Sequence, residues 1–352
     1  MARAAVLRAG GLGDLVFALP ALEALRSRFP GTEIVLLGAP SHAEILGPRG
    51  TPVDRVEVVP PWPGLREEPG AIPDPRDQAA FLSRMRRERF DVAVQLHGGG
   101  RRSNPLVRSL GARLTVGLRS PDAPELDRWV PYVYHQHEVL RGLEVVALLG
   151  ARPRSLLPRL SPTPTEIEAS RRLVSEGDPI AVLHPGAGDP RRRWPPEGFA
   201  QVGDRLAELG AQVVVIGTAP EAGVAARVAA AMRRPASTLA GRLSLPALLG
   251  LLARARLVVS NDSGPLHLAA ALGTRTVGIY WCGNLINAGP LATARHRPVA
   301  SWRLTCPTCE ASCLHGSCAH RGSFVADVRP QDVLAEALDL WNGPGVGDPG
   351  KG

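Results

Sequence analysis

Three short stretches of small and charged residues each follow an apolar run and precede a helix-like segment. They are RAGGLGD (8–14), HPGAGDPRRRWPPE (184–197) and SNDSGP (260–265). Backbone N–H groups at the start of a helix lack partners and attract phosphate, and glycines let the phosphate approach the chain. None of the three corners contains GxGxxG, or GxxxxGK followed by Ser or Thr. The pattern therefore favours a nucleoside diphosphate held by separate corners, with ordinary tight turns capped by Asp and Ser as the alternative at each corner.

A second set of reactive side chains lies late in the chain. The spacing CxxCxxxCxxxxC places four cysteines together, with His315 and His320 nearby and Cys282 apart; the four are Cys306, Cys309, Cys313 and Cys318. Closely spaced cysteines in a cytoplasmic chain indicate a structural zinc or iron-sulfur site rather than disulfides. The spacings are too tight for two separate zinc knuckles, and reduced thiols that pack a loop are the competing interpretation.

Short apolar runs alternate with segments of helical period, a pattern typical of parallel sheets built from repeated β-α units. Ligands bind such sheets at the carboxyl ends of the strands, where the three corners fall. In the first helix candidate Pro20 interrupts an apolar face, so we expect a kink or a late helix start; the face comprises Leu15, Ala18, Leu19, Leu22 and Leu25. The predicted strands are 4–8, 33–37, 54–59, 91–96, 113–118, 180–184, 212–217, 256–260 and 275–280.

The chain of 352 residues exceeds the roughly 250 to 300 beyond which one core usually divides, so we expect two domains. Four prolines in PRSLLPRLSPTPTE (153–166) mark the linker, which gives domains 1–160 and 161–342. The last helix could pack back on the first domain. Three further segments are predicted to be irregular: surface loops at 60–76 and 119–131, and a disordered tail at 343–352.

The net charge is +8, carried by 40 arginines and one lysine, and favours acidic partners such as nucleotides and anionic lipids. Nucleic acid is not expected, because the few aromatic residues are not interleaved with basic ones. No run reaches the roughly 18 to 20 apolar residues of a membrane span, and the start of the chain does not read as a signal peptide. We therefore expect a cytoplasmic protein that could contact the inner face of the cytoplasmic membrane.

Three longer stretches in this order carry a family resemblance. LRAGGLGDLVFALPALEALRSRFPGTEI, LHPGAGDPRRRWPPEGFA and LAGRLSLPALLGLLARARLVVSNDSGPLHLAAALGT resemble glycosyltransferase family 9, the heptosyltransferases of lipopolysaccharide core assembly. The resemblance implies a glycosyltransferase-B fold, α/β in class, with two Rossmann-like domains facing a central cleft. The first would bind the acceptor and the second the nucleotide-sugar donor.

The resemblance also implies the reaction: metal-independent, inverting transfer of heptose from ADP-heptose to a lipid-linked or core oligosaccharide acceptor. No cofactor would be needed for catalysis. Two alternatives stay open, a nucleotide-sugar epimerase or phosphorylase on the same fold and a nonenzymatic protein that binds anionic surfaces.

Two catalytic residues follow from the resemblance. Asp14 would be the base, with a helix N-cap as its alternative role. Arg192 stands where the family commonly has a lysine and would neutralise the diphosphate, although a role that needs a compact ammonium is in doubt. The implied donor-binding residues are Gly186, Ala187, Gly188, Arg193, Glu221, Asp262, Ser263, Gly264 and His267. The implied acceptor-side residues are Gly11, Gly13, His97 and Arg101.

Overall fold

The computed structural model describes residues 1–49, 52–67, 70–313 and 318–343. The chain forms two compact units that divide between Thr163 and Pro164, inside the proline-rich segment 153–166. All but the first residue of the predicted tail at 343–352 lie outside the described residues. Within the described ranges, no helix combines the length and the apolar character required to cross a membrane.

The first unit is a parallel six-stranded sheet with five α-helices in its described part. The strands are β1 (Arg3–Leu7), β2 (Glu33–Gly38), β3 (Arg55–Val58), β4 (Val92–Gln95), β5 (Leu114–Arg119) and β6 (Arg128–Pro131), in the order β3-β2-β1-β4-β5-β6. The helices are α1 (Leu12–Arg28), α2 (Pro40–Leu46), α3 (Pro75–Arg87), α4 (Ser103–Ser109) and α5 (Glu138–Ala147).

The second unit repeats this topology. Its strands are β7 (Ile180–His184), β8 (Gln212–Val215), β9 (Ser237–Thr238), β10 (Leu257–Asn261), β11 (Arg275–Trp281) and β12 (His296–Ser301), in the order β12-β11-β10-β7-β8-β9. Its described helices are α6 (Pro164–Arg171), α7 (Pro196–Glu208), α8 (Ala222–Ala231), α9 (Leu245–Arg254), α10 (Gly264–Ala271), α11 (Cys282–Ala288) and α12 (Pro330–Asn342).

The strand order places the motif corners at the switch point of each sheet. In the first sheet the strand order reverses between β1 and β4, because later strands are added on the opposite side of β1. In the second sheet the same reversal lies between β7 and β10. The corner 8–14 follows β1, the corner 184–197 follows β7 and the corner 260–265 follows β10. A switch point leaves a crevice outside the strand ends, which is where open parallel sheets bind ligands.

Two expectations need correction. The predicted loop at 119–131 ends in strand β6, whose mostly exposed residues give no apolar signal. Pro20 does not delay the first helix, because α1 begins at Leu12, where Leu15 N–H already donates to the Gly11 carbonyl at 3.2 Å. The last helix, α12, packs in the core of the second unit through Val333, Ala337, Leu340 and Trp341, and its packing against the first domain stays a prediction.

Candidate active site

Asp14 is the central acidic residue of the first corner. Its carboxylate accepts the Gly11 N–H at 2.8 Å and pairs with the guanidinium of Arg8, while 44% of the side chain stays exposed. A Cβ on Gly10 would lie 2.3 Å from Asp14 Oδ2, so only glycine leaves room for the carboxylate. Burial would raise the pKa of Asp14, but the charge of Arg8 and the Gly11 N–H hold it below its ordinary value. Asp14 is therefore ionised at neutral pH.

Arg8 is the hub of this corner and was not predicted. Only 7% of its side chain is exposed, and besides Asp14 it contacts Glu138 Oε2 at 3.0 Å and the Leu96 carbonyl. Glu138 is the first residue of α5, 130 residues further along the chain. A buried guanidinium with two carboxylates and a carbonyl is fully paired, which fixes the position of Asp14.

His97 faces the same space from the end of β4. Its Nδ1 accepts the Ala9 N–H at 3.2 Å, which joins the β1 and β4 corners across the switch point. Burial, followed by the charge of Arg8, lowers the pKa of His97 to about 4, so the imidazole is neutral at physiological pH. A cavity of about 340 Å³ opens here, lined by Arg8, Gly10, Asp14, Gly64, Leu65, Glu67, His97, Gly98 and Glu138.

The other predicted acceptor-side residues have different positions. Gly11 is the N-cap of α1, and Gly13 lies in its first turn. The Arg101 side chain is 70% exposed, and its guanidinium lies 3.6 Å from an Asp122 carboxylate oxygen. Arg101 is not among the residues that line the cavity. The structure thus brings Asp14 and His97 together and leaves Arg101 outside this group.

Asp262 and Arg192 form the charged centre of the second unit. Asp262 is buried, and its two oxygens lie 3.0 Å from Arg192 NH1 and 3.0 Å from His267 Nε2. Burial opposes ionisation, but His267 and Arg192 together lower the pKa of Asp262. The carboxylate therefore orients a guanidinium that remains 31% exposed and can still bind an anion with its free edge.

The loop that carries Arg192 is locally braced. Asp189 is the N-cap of its one-turn 3-10 helix, Pro190–Arg192. The Asp189 carboxylate binds the Arg191 side chain through contacts of 2.6 to 3.0 Å. Arg193, predicted to bind the donor, donates to the Ala187 carbonyl at 3.0 and 2.8 Å and closes the loop. The three arginines are thus individually placed rather than a solvated basic run.

His184, Ser263 and Glu221 form a second polar cluster in this unit. The register pairs His184 with Ser260 on adjacent strands, and His184 Nδ1 lies 3.2 Å from Ser260 Oγ and 3.0 Å from Ser263 Oγ. Glu221 accepts the Thr218 N–H at 2.8 Å, and its Oε2 lies 3.6 Å from His184 Nε2. The neighbouring His184 ring is the main cause that lowers the pKa of Glu221 to about 2.

Asn261 connects the second and third corners and was not predicted either. It is fully buried, its amide donates to the Pro185 carbonyl at 2.8 Å, and its Oδ1 accepts the Trp194 N–H at 3.0 Å. Trp194 in turn donates its indole N–H to the Val328 carbonyl at 2.9 Å. A Cβ on Gly198 would meet the Trp194 ring at 2.4 Å, which explains the glycine in PPEGFA.

Gly186→Ala is expected to destabilise the second unit. A Cβ at this position would lie 2.2 Å from Glu221 Oε1, so the carboxylate must leave Thr218 and His184. Loss of charge-assisted hydrogen bonds at a buried group costs about 1–3 kcal/mol in the free energy of unfolding. Denaturant unfolding measures this loss. Gly188→Ala is the matched control, because its Cβ would meet no atom within 4 Å, and an equal loss in both variants would contradict the role of Glu221.

The cysteine-rich segment brings together a ligand group that differs from the predicted one. The ligand atoms of Cys306, Cys309, Cys318 and His320 all lie within 4.8 Å of one another, so His320 takes the place predicted for Cys313. Cys313 is partly buried against the hydrophobic core of the second unit and is not a member of this group of four. His315 lies outside the described residues. Cys282 is buried in the same core.

Two Rossmann-like units of this strand order, each with polar corners at its switch point, are the fold of the glycosyltransferase-B class. Residues 78–313 match the family described as glycosyltransferase family 9 (heptosyltransferase). The chain belongs to this family and is a glycosyltransferase.

Individual relatives agree with this assignment. Lipopolysaccharide heptosyltransferase 1 of Pseudomonas aeruginosa is 26% identical over 298 residues, which cover 79% of this chain and 78% of the relative. A family 9 glycosyl transferase from Veillonella parvula has the same fold, with a TM-score of 0.77 at 21% identity and 97% coverage of both chains. E. coli ADP-heptose lipopolysaccharide heptosyltransferase II superposes with a TM-score of 0.73 at 21% identity over 97% of this chain and 98% of its own.

Proposed function

We propose that this enzyme transfers a heptose from ADP-heptose to a lipid-linked or core oligosaccharide of lipopolysaccharide, with inversion at the anomeric carbon. The observation that carries the proposal is an ionised, partly exposed carboxylate, Asp14, held by a buried arginine at the edge of a cavity of about 340 Å³. Family membership and the names of the relatives support a heptose as the sugar and ADP as its carrier.

In the proposed reaction Asp14 accepts the proton of the acceptor hydroxyl as its oxygen bonds to the anomeric carbon. The bond from that carbon to the β-phosphate oxygen breaks at the same time, and ADP leaves with the electron pair. The nucleophile approaches the face opposite the phosphate, so the configuration inverts. The neutral His97 is placed to exchange hydrogen bonds with acceptor hydroxyls, because its pKa of about 4 leaves it uncharged.

The second unit would bind the departing diphosphate and stabilise its charge. Negative charge grows on the β-phosphate as the glycosidic bond breaks, and the exposed edge of the Arg192 guanidinium can receive it. Asp262 is proposed to position this guanidinium, since both carboxylate oxygens already bind protein groups. Sugar hydroxyls, the partners expected for Asp262, would have to compete with Arg192 and His267. Glu221 is proposed to hold the nucleoside.

We further propose that transfer needs no metal ion and that any ion at the cysteine-rich segment is structural. The Arg192 guanidinium would supply the positive charge that a metal supplies to a diphosphate in other enzymes. A lipid-linked acceptor would bring the enzyme to the inner face of the cytoplasmic membrane, where the net charge of +8 favours anionic lipid.

A screen of donors by thermal shift tests the proposal. ADP-heptose at one hundred times its Kd should stabilise the protein by about 2.7 kcal/mol relative to the ligand-free form. At the same concentration, ADP-glucose, UDP-sugars and GDP-sugars should stabilise it less. Proton NMR of the glycoside product should show the anomeric configuration opposite to that of the donor. Stronger stabilisation by a UDP- or GDP-sugar would overturn the proposed donor, and a retained configuration would overturn the mechanism.

A further inference from the structure

The cysteine-rich segment folds as a tight hairpin that presents two of its thiols. Thr305 and Ser312 pair as an antiparallel bridge, Cys306 N–H donates to the Ala311 carbonyl at 2.9 Å, and Glu310 N–H donates to the Cys306 carbonyl at 3.0 Å. Glu310 has a φ of 59°, in the left-handed region that a residue with a side chain rarely adopts. This turn places Cys306 and Cys309 side by side, and Thr308 N–H lies 3.5 Å from Cys306 Sγ.

Two more ligands approach the hairpin from a later part of the chain. Cys318 and His320 complete a group whose four ligand atoms lie within 4.8 Å of one another. Tetrahedral zinc with bonds of about 2.3 Å to sulfur holds its ligand atoms nearly 4 Å apart, so small movements would close this group on one ion. A polynuclear iron-sulfur cluster would hold the thiolates further apart, because several irons and sulfides lie between them.

We propose that Cys306, Cys309, Cys318 and His320 bind a single structural Zn²⁺. Three cysteines and one histidine form a closed site of the kind that zinc occupies in structural roles, with no position left for substrate. Cys306 is buried and Cys318 half-buried, while Cys309 and His320 are exposed, so an ion could enter from the solvent side.

The ion would connect the hairpin to the segment that supports the arginine loop. Shortly after His320, Ser323 Oγ donates to the Arg193 carbonyl at 2.6 Å and Phe324 N–H donates to the Arg191 carbonyl at 2.7 Å. These two carbonyls flank Arg192. On the other side, the Trp281 indole N–H donates to the Arg303 carbonyl at 2.6 Å and anchors the start of the hairpin to β11.

Zinc would therefore hold the backbone around Arg192 in place by cross-linking two chain segments. This coupling rests on the proposed function, in which Arg192 binds the diphosphate. The zinc site itself does not depend on the proposed function. Metal-free protein should bind ADP at least roughly fivefold more weakly than zinc-loaded protein if the two sites are coupled.

Metal analysis of untagged full-length protein, purified under reducing conditions without chelator, tests the site. Wild-type protein should contain about one zinc per chain. Cys309→Ser and Cys318→Ser should each lose at least roughly tenfold of this content, since a site with three protein ligands binds structural zinc weakly. Cys313→Ser is the matched control and should keep its zinc, because the Cys313 thiol is not among the four ligand atoms that lie within 4.8 Å of one another. His320→Cys should also keep it, since four cysteines form a closed zinc site as well.

Cobalt substitution checks the geometry on folded protein. Wild-type and Cys313→Ser proteins loaded with Co²⁺ should show the intense visible bands of tetrahedral cobalt and a thiolate charge-transfer band, which Cys309→Ser should lose. Zinc below about a tenth of an equivalent, iron in its place, or equal zinc loss in Cys313→Ser and Cys309→Ser would overturn the assignment.

ADP affinity, measured by calorimetry with and without zinc, separates the two proposals. Zinc-loaded protein that fails to bind ADP would overturn the proposed function and leave the zinc site standing. Equal ADP affinity in the two forms would overturn the coupling to the arginine loop, and normal ADP affinity in a protein that never holds zinc would overturn the zinc site alone.

Discussion

Asp14→Asn should lower kcat by about 10²–10⁴-fold and leave the affinity for the nucleotide sugar unchanged. The amide has the size of the carboxylate and can still accept the Gly11 N–H, but it cannot accept a proton from the acceptor hydroxyl. Glu138 remains 3.0 Å from the Arg8 guanidinium, so the buried cation keeps a counter-charge and the fold should survive. Single-turnover rates and calorimetric donor titrations measure the two quantities.

The pH dependence of the wild type gives an independent check. A base must be ionised to act, and Arg8 holds the pKa of Asp14 below its ordinary value. The acid limb of kcat/KM assigned to Asp14 should therefore lie below about pH 3.9, the pKa of an unperturbed aspartate, with no loss between pH 7 and pH 5. Near-normal turnover of Asp14→Asn would remove the base assignment, and the Asp14 carboxylate would then serve only to accept the N–H of Gly11, the N-cap of α1.

Arg192→Met should lower kcat by roughly 10²–10³-fold, because it removes the charge proposed to stabilise the departing diphosphate. It also leaves the buried Asp262 with the His267 ring as its remaining side-chain partner among the contacts described above, so some loss of stability should accompany the loss of activity. Arg192→Lys restores a positive charge at the position where the family commonly has lysine and should recover most of the rate. Steady-state kinetics with saturating donor and thermal unfolding separate the two effects.

Arg191→Met is the matched control for this loop. Arg191 pairs with Asp189 and not with Asp262, and its side chain is half-exposed, so its removal should lower kcat less than about fivefold. If Arg191→Met and Arg192→Met lose activity equally, the loop acts only as a general basic surface. If Arg192→Lys is as inactive as Arg192→Met, the planar fork of arginine is essential and the comparison with lysine in the family does not hold.

The fold was largely predictable where burial is strong. The central strands β1, β4, β7 and β10 are almost fully buried and read as continuous apolar runs. The edge strands β6, β9 and β12 were not predicted, because their residues are largely exposed or half-buried and β9 has only two of them. Edge strands gain their conformation from pairing with a neighbour, and local sequence carries little of that information.

The site was predictable where a residue belongs to a corner, and not where topology supplies the partner. Asp14, Arg192 and Asp262 stand in recognisable motifs. Arg8 ends an apolar run and gives no signal of its own, since Glu138, one of the carboxylates it needs, is 130 residues away. The predicted ligand set was wrong at one position for the same reason. Spacing favours four cysteines, whereas the fold brings His320 beside Cys306, Cys309 and Cys318 and leaves Cys313 partly buried against the core.

The distance in sequence between Arg8 and Glu138 also bears on how the chain is made. A guanidinium that is only 7% exposed is costly to bury before its carboxylates arrive, and one of them belongs to the last helix of the first unit. Until α5 has emerged from the ribosome, Arg8 at the end of β1 lacks its ion pair with Glu138. Asp14 and strand β1 should therefore become ordered together, late in synthesis of that unit, and not strand by strand as the polypeptide emerges.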